Sequence, residues 1–223
     1  MNKVFLRYLA YAVGVFAFMN LIMLFAWYMP GGLQFERNMP ELGVQTSELS
    51  PIEVLQNILL IFCACIFAWV ASRDRLRRSM AVSLAALFSI FLIRELDFFL
   101  DFYMHDNLWQ VLVALVLSFA LVYCVRDRHR YAQGWRRSWP SAGLALIFGG
   151  LILLLPFAQL VGHEGFWQII LGDNYIRVVK IATEEFIELG AYAIITIGTI
   201  EFFYSWSRLP RTRNFHAPLK SRW

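Results

Sequence analysis

Six runs of apolar residues, at about 8–29, 52–71, 80–100, 108–125, 141–162 and 181–204, divide the chain, and polar residues crowd the intervals between them. Each run reaches or approaches the roughly 20 residues that an α-helix needs to cross about 30 Å of hydrocarbon. The pattern predicts an all-α fold, a polytopic bundle of six transmembrane helices forming one domain over 1–223. No internal repeat and no inverted similarity between halves is evident, which weighs against the common secondary-transporter architectures.

The intervals carry their own signals. The segment 30–50, with Pro30, Gly31, Gly32 and Pro40 beside Glu36, Glu41 and Glu48, reads as irregular and solvated. Ser50-Pro51-Ile52-Glu53 is a capping box: serine at the cap, proline at the first helical position, glutamate three residues after the cap. Asp106 is the expected cap of the fourth span, with Trp109 at headgroup depth. The interval 163–180 holds His163, Glu164, Trp167 and Asp173, and its stretch 166–171 is apolar enough to lie in the interface. Gly149, Gly150, Gly190 and Gly198 are expected to mark close helix–helix approach.

Charge then orients the bundle. Four groups hold sixteen of the twenty Lys and Arg residues: Lys3 and Arg7; Arg73, Arg75, Arg77 and Arg78; Arg126, Arg128, Arg130, Arg136 and Arg137; and Arg208, Arg211, Arg213, Lys220 and Arg222. In a six-span arrangement all four share one side. The positive-inside rule makes that side the cytoplasm, with both termini inside, and a bacterial cytoplasmic (inner) membrane is the expected location. Thirteen of the sixteen Asp and Glu residues fall on the other side, so candidate chemistry is sought there.

Composition agrees: 223 residues, 59% apolar and 16% charged, with a mean hydropathy of +0.56, leave no room for a soluble domain of ordinary size. The pI near 9.1 comes from juxtamembrane clusters. They are expected to meet anionic lipid headgroups rather than nucleic acid. The first apolar run is too long for a signal-peptide core and lacks a small-x-small cleavage site, so a retained helix is expected. Cys63, Cys65 and Cys124 all lie inside spans and read as small buried side chains, with no disulfide framework and no CxxC metal knuckle.

Ionisable side chains at membrane depth are costly, and they usually face a bundle interior or a water-filled cavity. On span three, Arg94 lies about 21 Å along a helix rising roughly 1.5 Å per residue from Met80. Helical spacing puts Arg94, Asp97 and Asp101 on one face and turns Glu95 away. His105 would extend that face if the helix continued. Span six opens with Lys180, Glu184, Glu185 and Glu188, and span two with Glu53, Gln56 and Asn57. Three helices thus present polar faces at one height, which predicts one shared polar site near the outer surface.

Three readings of that site follow. Asp97, Asp101, Glu184 and Glu188, joined by His105 or His163, could ligate one divalent metal ion, with Zn, Fe, Mn or Ca as candidates. A metal-bound water there could hydrolyse a lipid-type substrate, although HExxH, HxxxH and ExxH spacings are absent. Arg94 would orient the aspartates, while Gln56, Asn57, Glu53, Glu95, Lys180 and Glu185 would supply supporting polar contacts. Alternatively, clustered carboxylates in low dielectric could bind a cation or proton linked to transport. The third reading is an ion-pair network that fixes helix packing or docks another membrane subunit. Glu201 is expected to reach toward Arg208, and His129 and His216 belong to basic segments. Heme is not expected, since no histidine sits mid-membrane.

Overall fold

A computed structural model describes residues 3–29, 37–39, 44–46 and 50–208. The glutamates, prolines and glycines named in the first interval, together with Arg211, Arg213, His216, Lys220 and Arg222, lie outside the described residues.

The protein is all-helical apart from one short hairpin, and it carries several helices long and apolar enough to cross a membrane. These are α1 (Lys3–Tyr28), α2 (Pro51–Arg73), α5 (Leu108–Arg126), the continuous stretch Ala142–Gly162, and α10 (Arg177–Ser207). A sixth is obtained if α3 (Arg78–Glu95) and α4 (Asp97–Tyr103), bent by 57° against each other, count as one span. Between α1 and α2, Arg37–Met39 pairs antiparallel with Val44–Thr46, where irregular chain was expected.

Local chemistry sets the helix ends. Ser50 Oγ accepts from the Glu53 N–H at 3.2 Å, and Pro51 occupies the first turn, where its missing N–H costs nothing. The expected cap at Asp106 is not formed. Asn107 holds the N-cap position with φ +64°, a left-handed conformation that asparagine tolerates, and no side chain caps α5. The chain therefore turns one residue later than the sequence suggests.

The third apolar run is not one straight helix. Leu96 N–H is shared between the carbonyls of Leu92 and Ile93, the helix tightens, and α4 leaves at an angle. The fifth apolar run continues without such a break: α7 (Ala142–Ile152) passes through a π turn, Leu153–Ala158, into α8 (Gln159–Gly162). Pro156 cannot donate a backbone hydrogen bond, and the wider turn accommodates it. Two short elements follow, α9 (Glu164–Leu171) and a 3₁₀ turn (Gly172–Asn174), with Ile169 and Ile170 exposed. The basic interval after α5 folds as an amphipathic helix, α6 (Arg128–Ser138).

α10 is the central stave. At 31 residues it spans about 46 Å, and it packs on α2 and on α7 through α8, while α3 packs on α2, α5 and α6. Phe67, Phe88 and Phe202 meet at ring separations of 5.4–5.8 Å in the core, among Leu60, Met80, Leu84, Ile147 and Ile195. The α7–α10 seam is built on glycine. A Cβ on Gly143 would lie 2.5 Å from Phe202 N, one on Gly150 would lie 2.5 Å from Ile195 Cγ1, and one on Gly198 would lie 2.8 Å from Gly143 O. Gly149 and Gly190, expected to do the same, make no close approach. Neighbours in sequence point about 100° apart on a helix, so Gly149 faces away when Gly150 faces α10.

One end of this bundle gathers the basic segments. Trp206 Nε1 donates to Asp74 Oδ2 at 3.0 Å, tying the end of α10 to the turn after α2. Gly134 of α6 lies against that same turn, where a Cβ would meet Leu76 O at 3.2 Å and Met80 Cβ at 3.3 Å.

Candidate functional site: an acidic cluster between α2, α3 and α10

At the end remote from the basic segments, α10 presents Glu184, Glu185, Glu188 and Tyr192 within about two turns. Glu188, 3% exposed, is met by Arg94 of α3, with Nη2 3.2 Å from Oε1. Tyr192 donates from its hydroxyl to Glu95 Oε1 at 2.7 Å. Gln56 of α2 donates from Nε2 to Glu185 Oε2 and to the Glu185 backbone carbonyl, both at 3.1 Å. Lys180 reaches Glu184 Oε2 at 3.1 Å one turn along the helix, and the Glu184 carboxylate packs on Gly162, whose missing side chain gives it room. Glu188 lies within the electrostatic reach of Glu95, Arg94, Glu185 and Glu184 together.

The partners of Gln56 fix the orientation of its amide. A backbone carbonyl can only accept, so the Glu185 contact fixes which end of the amide faces α10. Oε1 then has no hydrogen-bond partner among the described residues, although Gln56 is completely buried. Asn57 Oδ1, one residue on, is likewise buried without a partner among them. Both are acceptor oxygens, and a buried acceptor left unpaired costs about 1–3 kcal/mol.

The structure divides the residues singled out from sequence. Gln56, Arg94, Glu95, Glu185 and Glu188 are joined by direct bonds across three helices, with Lys180 and Glu184 beside them. Glu53 stands at the capped start of α2, buried. The bend at Leu96 carries Asp97 and Asp101 onto a separate element. There Asp97 Oδ1 accepts from its neighbour's amide, Phe98 N–H, at 2.7 Å, and Asp101 Oδ1 is buried without a partner among the described residues. His105 follows α4 in an exposed turn, and His163 sits at the α8–α9 junction. Among the described residues, no three His, Cys, Asp or Glu side chains are grouped so as to hold a metal ion.

Two expectations are corrected here. Glu95 does not point away from the cluster, since the Tyr192 hydroxyl of α10 donates to it, and the face extrapolated through Asp97 and Asp101 is broken by the bend at Leu96. Glu201 does not reach toward Arg208. It is 1% exposed and turned toward α1, where Arg7 Nη2 lies 2.9 Å from Oε1 and the Tyr11 hydroxyl donates to Oε2 at 2.5 Å. Arg208 stacks on Tyr204 instead, at 4.1 Å.

Two groups escaped the sequence reading although their spacing was legible: Tyr192 stands four residues from Glu188 on the same face, and Tyr11 four residues from Arg7. The cysteines are free and unequal. Cys63 is buried, with Sγ 3.5 Å from the hydroxyls of both Thr196 and Thr199, whereas Cys65 faces outward. Comparison with protein-family models, curated proteins and solved structures returned no match.

Proposed function

We propose that this is a six-span protein of a bacterial cytoplasmic membrane, with both ends cytoplasmic, whose working part is a cation- or proton-binding pocket in the outer leaflet between α2, α3 and α10. The basic segments gathered at one end support the orientation, under the positive-inside rule. The observation that carries the pocket is a charge imbalance. Among the described residues, Glu95, Glu184, Glu185 and Glu188 are met by Arg94 and Lys180, while the buried Gln56 oxygen beside them, and the Asn57 oxygen one residue on, have no donor. In low dielectric an unpaired carboxylate must be neutralised, by a proton or by a bound cation. Amide and carboxylate oxygens are the ligand set of a hard cation. Hydrolysis of a lipid through a metal-bound water draws no comparable support, since no three His, Cys, Asp or Glu side chains are grouped to hold a metal ion among the described residues.

A second reading has an observation of its own. Arg94–Glu188 and Tyr192–Glu95 both bridge α3 to α10, as a network that only fixes packing, or steadies a subunit of a larger complex, would do.

The deciding experiment is thermal unfolding and elemental analysis of protein purified without chelators, titrated with Na⁺, K⁺, Ca²⁺, Mn²⁺, Zn²⁺ and acid. Under the pocket reading one of these raises the wild-type midpoint in a saturable way, and Glu185→Gln removes the response. An unfolding curve indifferent to every ion and to pH around neutrality, in a variant series that loses stability alone, would leave the packing network.

A further inference from the structure

At the opposite end of the molecule, we infer that α6 and the turn after α2 form a docking surface for the phosphate headgroups of anionic phospholipids. The surface is independent of the acidic cluster. On α6, Gly134 and the half-buried Trp135 meet the bundle, the indole 6.0 Å from the Phe148 ring, while Arg130, Arg136 and Arg137 are exposed. The close seat of Gly134 on Leu76 and Met80 presses the helix against the bundle and places its arginines beside the exposed Arg73 and Arg75. Two acids lie in these segments. Asp74 is taken by Arg77 at 2.8 Å, and Asp127 is approached by Arg130 at 3.4 Å. The remaining positive charge has no protein counterpart among the described residues of this surface.

Aromatic residues fix the depth and so decide the occupant. Arg73 lies over the exposed Trp69 ring at 4.9 Å, Arg208 over Tyr204 at 4.1 Å, and Trp139 at the end of α6 is 53% exposed. Tryptophan and tyrosine with arginine tips mark the boundary between hydrocarbon and headgroups. A guanidinium there meets lipid phosphate bidentately and strengthens the attraction to an anionic leaflet. An acidic soluble partner would have to displace those lipids first.

The test is native mass spectrometry of the full chain released from detergent containing equal phosphatidylglycerol and phosphatidylcholine. Wild type should retain phosphatidylglycerol in clear preference, and Arg130→Gln/Arg136→Gln/Arg137→Gln should lower that preference by about tenfold or more, since each basic residue near a membrane surface contributes about fivefold. Raising the ionic strength should weaken the wild-type preference in the same direction, a readout that needs no variant. Equal retention of the two lipids by wild type, or a preference unchanged in the triple variant, overturns the proposal. Displacement of phosphatidylglycerol by inorganic phosphate at matched concentration also overturns it, because the surface would then be a free-anion site.

Discussion

Arg94 and Glu188 lie 94 residues apart in sequence and 3.2 Å apart in space, the guanidinium of α3 held against the buried carboxylate of α10. The arginine side chain is 40% exposed and the glutamate 4%, so the cost of separating them falls unequally. Removing the arginine leaves a charge in a dry interior. Removing both leaves two groups that can be uncharged.

Arg94→Gln should therefore destabilise the protein by about 2–3 kcal/mol, less than the loss at a fully buried pair because Arg94 keeps some solvent contact. The double variant Arg94→Gln/Glu188→Gln should recover most of that loss. Unfolding in a constant micelle background measures both, and a double variant as weak as the single one would show that the pair is not the source.

The glycine seam gives a contrast within one residue type. Gly143→Ala and Gly198→Ala place a methyl group within 2.5–2.8 Å of backbone on the facing helix and should cost about 1–3 kcal/mol each by overpacking. Gly149→Ala has open space around it and Gly190→Ala meets only Met19 Cε at 3.9 Å, so both should be neutral or slightly stabilising through helix propensity. Thermal midpoints of the four variants should fall into these two groups. Four similar values would mean that α7 and α10 are not in backbone contact.

Asp74 supplies a pH dependence outside the membrane-spanning segments. Burial pushes its carboxyl up, but hydrogen bonds from Arg77, the Trp206 indole and the Leu76 amide, with the Arg77 charge, outweigh this and hold it below the ordinary aspartate value. A carboxyl depressed in the folded state stabilises above its unfolded value, about pH 4, and that contribution is lost as pH falls through the lower folded value. Asp74→Asn should abolish this part of the acid sensitivity. Melting profiles of wild type and variant that stay parallel well below the ordinary aspartate value would refute it.

At the other end of α10, Glu201 depends on α1. Arg7→Met should leave the carboxylate with Tyr11 and Ser205 alone and should destabilise the protein, whereas Arg7→Met combined with Glu201→Gln should be milder. Disulfide trapping between cysteines placed on the facing turns of α1 and α10 would report the same event: slower trapping in Arg7→Met, restored in the double variant. Equal trapping rates in all three proteins would show that α1 is held by its apolar face.

Much of the fold could be read from the chain because hydrocarbon imposes one length scale, and each apolar run from 8–29 to 181–204 matches a described helix or helix pair. The capping box at Ser50 was equally legible, since its partners are three residues apart. Helical period also placed the polar faces of Gln56 and of Glu184 and Glu188. It failed at Leu96, where no proline or glycine announces a break, so the face drawn through Arg94, Asp97 and Asp101 is interrupted and Glu95 meets Tyr192. Gly143 and Gly149 look alike in sequence; only the rotation of α7 against α10 distinguishes them. Glu201 was misplaced for a related reason: its partners lie about 190 residues away, and a local rule offered Arg208.

That distance has a bearing on how the protein is made. Chains enter the membrane from the N-terminal side at about 5–20 residues per second, so α1 waits some 10–40 s before the residue that satisfies Arg7 and Tyr11 is synthesised. During that interval α1 must remain near the growing bundle without its polar partner. Glu201, arriving late, finds a cation and a hydroxyl already in place. Burial of its charge and capture of α1 are then a single event, so a contact made late in synthesis fixes a helix made early.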